Sequence, residues 1–77
     1  MRRIYRIELD DLDLGQLLDG LETRAEAWEE TAEYHRTAES PPGFIVEVCT
    51  DAEEADKIAT HYRSIIRKIQ QQQEVQS

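Results

Sequence analysis

The chain has 77 residues, 17 of them Asp or Glu and 9 Lys or Arg, for a formal net charge of −8. That length holds one small domain, 1–77, and excludes catalytic units of Rossmann, barrel or kinase size. No apolar run nears the ~18 to 20 residues of a membrane span, and Met1-Arg2-Arg3-Ile4-Tyr5-Arg6 does not open onto the apolar stretch of a signal peptide, so the expected compartment is the cytoplasm. The single cysteine, Cys49, agrees, because small secreted domains usually carry several disulfides.

Residues 2–9, RRIYRIEL, alternate with period two. Tyr5, Ile7 and Leu9 fall on one face and Arg2, Ile4, Arg6 and Glu8 on the other, which predicts a half-buried strand. The acidic cluster Asp10-Asp11-Leu12-Asp13 follows, with Asp13 placed to cap a helix and Gln16 three residues on. Leu14, Leu17, Leu18, Leu21, Ala25, Trp28 and Ala32 then recur at spacings of three and four, predicting an amphipathic helix over 13–39. Gly15 and Gly20 each cost it roughly 1 kcal/mol relative to alanine.

Ser40-Pro41-Pro42-Gly43 reads as the loop that stops this helix. Residues 44–49, FIVEVC, are β-branched and aromatic and predict a second strand, with Phe44, Val46 and Val48 facing inward. Thr50-Asp51-Ala52-Glu53 has the spacing of a capping box. It opens a helix over 51–72 whose apolar face carries Ala55, Ile58, Ala59, Tyr62, Ile65, Ile66 and Ile69. The glutamine-rich end, 70–77, has little to bury and is expected to fray.

The predicted order is βαβα, an α/β (α+β) domain in which two strands are covered on one face by two long helices. Two strands make a marginal sheet, and a core of this size scarcely offsets the entropy of ordering the chain. A homodimer that extends the sheet across a two-fold axis is the simplest remedy. Ile4 and Ile45, on the outward sheet face, are the expected dimer contacts. Trp28, Tyr62 and Ile66 are expected in the core, where the helices meet the sheet.

Charge is unevenly spread. Residues 1–9 carry +2, residues 10–39 carry −8 and residues 40–77 carry −2. On a helical wheel Asp19, Glu22, Glu26, Glu29, Glu30 and Glu33 fall within a sector about 100° wide, beside the apolar face. Glu22/Glu26, Glu26/Glu30 and Glu29/Glu33 are like-charge pairs at i,i+4, each destabilising by a few tenths of a kcal/mol. A solvated, solubilising face accounts for such a stripe; so does a binding surface for a basic protein, including one that itself binds nucleic acid. Cation binding is a weaker reading, because the helix lacks the loop oxygens of a D-x-D-x-D-G turn.

Chemistry-bearing motifs are sparse. His35 and His61 stand in no metal-binding spacing, and no cofactor or metal is expected. Cys49 has no C-x-x-C companion, and a nucleophilic role requires a base such as His61 to approach it in space. Tyr34 lies well off the apolar face of its helix and marks a possible second contact surface. The acidic balance disfavours direct nucleic-acid binding, although Arg2, Arg3 and Arg6 form a small basic cluster. The expected function is therefore non-enzymatic: a small acidic protein-binding module, a regulator or inhibitor acting through the stripe. The alternative is an accessory subunit of a larger complex, with its sheet edge completed by a partner strand.

Overall fold

A computed structural model describes residues 2–39, 46–47 and 49–76. Two helices make up its regular structure, α1 over Asp11–Thr37 and α2 over Ala52–Gln76. Ion pairs Arg36–Asp56 and Glu29–Arg63 join them. Residue numbers fall along α1 as they rise along α2, so the two form an antiparallel hairpin.

Both helices start on aspartate caps. The Asp10 carboxylate accepts from the Asp13 amide at 2.8 Å, so α1 begins before the expected Asp13 and places Asp11 and Asp13 in its first turn, where the helix dipole favours carboxylates. Asp51 accepts from the Glu54 amide at 2.9 Å, while Glu54 reaches back to accept from the Thr50 amide and hydroxyl. This is a capping box displaced by one residue from the expected Thr50–Glu53 pair. Ala38 closes α1 in the left-handed region at φ 61°, donating its amide to the Tyr34 carbonyl. The helix thus ends on backbone geometry before the prolines are reached. α2 runs on through Gln70–Gln73 to Gln76, past the expected end at 72, since Gln and Glu are good helix formers without packing.

The expected βαβα fold is not the one formed: the chain is an all-helical hairpin, with no strand among the described residues. Residues 2–10 form no regular structure, and Ile4, Tyr5 and Ile7 are 98%, 74% and 74% exposed. Alternation sorts side chains by face but supplies no partner for the backbone, and a strand exists only where its amides and carbonyls find another strand. At the second expected strand, Val46, Glu47 and Cys49 are likewise irregular, and the Glu47 amide donates to the Thr31 hydroxyl at 2.9 Å. A side chain of α1 has taken the place of a neighbouring strand. Phe44, Ile45, Val48 and the loop 40–43 lie outside the described residues. With no strand among the described residues, the outward sheet face expected to carry the Ile4 and Ile45 dimer contact has no support.

The core is a helix–helix seam. Ala25, Trp28, Thr31 and Ala32 of α1 and Ala55, Ala59 and Ile66 of α2 are buried. Cys49, Ile58 and Tyr62 pack partly buried against the Trp28–Ala32–Ala55–Ala59 cluster. Trp28 and Ile66 are therefore core residues as expected, but they face the other helix and not a sheet, and Tyr62 is half-buried. Thr31 is fully buried and fully used, because its hydroxyl donates to the Ala27 carbonyl at 2.8 Å and accepts from Glu47. The result is a flat body with principal extents of 43 × 33 × 17 Å.

Candidate protein-binding surface

The six carboxylates of the stripe do not share one environment. Glu29, nearest α2, forms a two-pronged pair with Arg63, Oε2 to Nε at 3.0 Å and Oε1 to Nη2 at 2.8 Å. Glu33 meets Arg36 at 3.2 Å on the same helix, and Arg36 also reaches Asp56 at 2.9 Å. These two carboxylates are partly neutralised and help hold the hairpin in register. Asp19, Glu22 and Glu26 are exposed and Glu30 is half-exposed, and none of the four makes a hydrogen bond or ion pair to another described residue.

From Asp19 to Glu30 the helix rises about 16 Å at ~1.5 Å per residue. Four carboxylates on that length form a strip of negative potential along one edge of the hairpin. Glu22 and Glu26 lie close enough to Arg63 to help raise its pKa, after the larger effect of its bond to Glu29. Such a strip is able to attract a cationic surface.

The bond from Arg63 holds the Glu29 carboxyl below its ordinary range, and the hydroxyl and amide of Thr50 do the same for Glu54. A carboxyl depressed in the folded chain contributes stability above its unfolded pKa, which is lost as pH falls through the folded value. Thermal stability is therefore expected to fall below about pH 4. Glu29 is about half exposed, and solvent screening keeps its share below about 1 kcal/mol. Melting curves followed by circular dichroism from neutral pH to about pH 2.5 test this: Glu29→Gln should show a shallower acid loss than the parent chain, and an identical slope would remove Glu29 from the account.

On the other side of α1 the connection folds back. Glu47 pairs with Arg24 at 2.6 Å, and the Tyr62 hydroxyl together with Glu47 raises the Arg24 pKa. Cys49 Sγ lies 3.3 Å from Nε2 of His35, whose ring meets Tyr34 edge-on at 5.9 Å. The base near the thiol is thus His35, not His61. Partial burial, and then the charge of Glu54, push the Cys49 thiol up, which is the opposite of what activates a nucleophile. Among the described residues no His, Cys, Asp or Glu cluster is arranged to hold a metal ion, and no described helix is long and apolar enough to cross a membrane.

Comparison with known proteins returned no match to a protein family, a curated protein or a solved structure.

Sequence reasoning found the stripe but not its division into a paired and an unpaired part, because Arg63 lies 34 residues from Glu29. It also missed Thr31 as the anchor of the connection. The available signal was a hydroxyl among the apolar positions, between Trp28 and Ala32.

Proposed function

We propose that the chain is a non-enzymatic protein-binding module that presents the Asp19–Glu22–Glu26–Glu30 edge of α1 to a basic surface of another protein, as a regulator or inhibitor does. The observation that supports this reading is that these four carboxylates make no hydrogen bond or ion pair among the described residues, Glu22 and Glu26 feeling Arg63 only at longer range, although the same hairpin pairs Glu29 and Glu33 with arginines. Uncompensated i,i+4 repulsion weakens a helix, and a cationic partner would relieve it while steering association.

The test is the variant Asp19→Asn, Glu22→Gln, Glu26→Gln, Glu30→Gln, which keeps shape and removes four charges. It should be as stable as the parent chain or slightly more so, and should retain less of its partner in affinity capture from source lysate. Binding by the parent chain should itself weaken with salt, since the screening length falls from ~10 Å at 0.1 M to ~3 Å at 1 M. Equal capture by parent and variant at both salt concentrations would leave the stripe a solubilising face.

A second reading, an accessory subunit of a larger complex, draws on the exposed arm 2–9. Its alternating pattern and open backbone suit addition to the sheet edge of another protein. Removal of residues 2–9 would then abolish capture, and the four-charge variant would not.

A further inference from the structure

The arm 2–9 is exposed along its whole length, and none of its residues bonds to another described residue. It is an open backbone edge with alternating side chains, and such an edge pairs with another extended segment. Charge decides which segment fits. When two copies pair antiparallel about a two-fold axis with like faces together, the axis passes through a single residue of the arm. A centre at Arg3, Arg6 or Glu8 sets that residue against itself, and a centre at Ile4 sets Arg2 against Arg6; like charges directly opposite are destabilising. A centre at Tyr5 places Arg3 among the apolar side chains, opposite Ile7. Only a centre at Ile7 has none of these faults. Arg6 of each copy then faces Glu8 of the other, Tyr5 faces Leu9, and Ile7 meets Ile7. One face of the ribbon is wholly apolar and the other carries two ion pairs. Past the paired stretch, Arg2 and Arg3 run on toward Asp11 and Asp13 of the second copy, the acidic first turn of its α1.

We propose that the arm is a self-pairing element: two copies of the chain join through residues 5–9 as an antiparallel two-stranded ribbon with Ile7 on the axis. The hairpin stays all-helical, and the connection takes no part. Nor does the carboxylate edge, since Asp19 lies about 12 Å into α1 at ~1.5 Å per residue. The ribbon therefore stands or falls independently of what that edge binds, and it competes with the accessory-subunit reading for the same arm. A two-stranded ribbon is marginal by itself, so the association is weak: a monomer at micromolar concentration and a dimer toward millimolar.

Sedimentation of the full chain from micromolar to near-millimolar concentration tests the proposal. The mass should rise from 9.0 kDa toward twice that value. Glu8→Arg sets arginine against Arg6 at both ion pairs and should weaken association about tenfold. It also makes a chain of net charge −8 less negative by two units, which through general repulsion alone would strengthen association. Adding Arg6→Glu exchanges the two charges, returns the net charge to that of the parent chain and should restore the parent affinity. Both positions lie in the exposed arm outside the hairpin, so helical circular dichroism should match the parent in each variant. A monomer at every concentration, a dimer that survives removal of residues 2–9, a Glu8→Arg variant that associates as well as the parent, or a double variant no better than Glu8→Arg would each overturn it. So would a purified chain that stays monomeric while its arm captures another protein, which would assign the arm to the accessory-subunit reading.

Discussion

Trp28→Ala is expected to leave the chain unfolded or without fixed packing at room temperature. Trp28 is 8% exposed and is the one large side chain in a cluster otherwise made of Ala32, Ala55 and Ala59. The three alanines of that cluster are too small to fill the space it would vacate. Truncating a buried tryptophan typically costs about 3 to 5 kcal/mol, and at ~0.05 kcal/mol per residue a thin hairpin of this length holds about 4 kcal/mol in total. A companion variant separates size from hydrogen bonding. The buried Nε1 of Trp28 finds no hydrogen-bond partner among the described residues, and an orphaned donor costs about 1 to 3 kcal/mol. Trp28→Phe removes that donor together with part of the ring, so its net change should stay within about 1 kcal/mol. Thermal melts of the two variants decide the matter: a well-folded alanine variant would show that the seam is held elsewhere, and a phenylalanine variant as damaged as the alanine one would mean that the indole N–H is bonded.

The two helices were legible in the sequence, whereas the alternation read as strands was not matched by any strand among the described residues, for one physical reason. A helix satisfies its backbone within itself, so spacing and caps suffice: Leu14 to Ala32 and Ala55 to Ile69 mark the faces, and the expected caps, Asp13 and Thr50, lie within three residues of those formed, Asp10 and Asp51. A strand needs a distant partner. Tyr5, Ile7 and Leu9 alternate with Arg2, Ile4 and Arg6 whether or not such a partner exists, and the Glu47 amide is satisfied by Thr31, a hydroxyl 16 residues away. The same limit hides the arginines. Nothing local pairs Arg63 with Glu29, yet this bond sets Glu29 apart from the unpaired carboxylates of the stripe. It also explains why His35, and not His61, lies against Cys49. His35 faces the returning connection, whose path only the fold reveals.

Ala59→Leu should cost about as much stability as an ordinary core truncation, although it adds apolar atoms. Ala25, Ala32, Ala55 and Ala59 are each no more than 4% exposed, which means that the two helices approach through their smallest side chains. Intrinsic propensity is nearly unchanged, since leucine and alanine are both strong helix formers, so any loss reports packing. Three added carbons have no void to enter, and overpacking typically costs about 1 to 3 kcal/mol. Relief by separation of the helices would pull on Arg36–Asp56 and Glu29–Arg63, the pairs that span the seam, and would lift Trp28 off its alanine bed. The control is Thr60→Leu, at the exposed neighbouring position, where a change within about 0.5 kcal/mol is expected. The contrast also separates two architectures. Helices laid on a sheet through larger side chains would leave room at position 59, and leucine there would be neutral or stabilising. A thermal midpoint for Ala59→Leu equal to or above that of the parent chain would therefore argue against the alanine seam itself, whereas a clear drop beside an unchanged Thr60→Leu control would tie the fold to the close approach of α1 and α2.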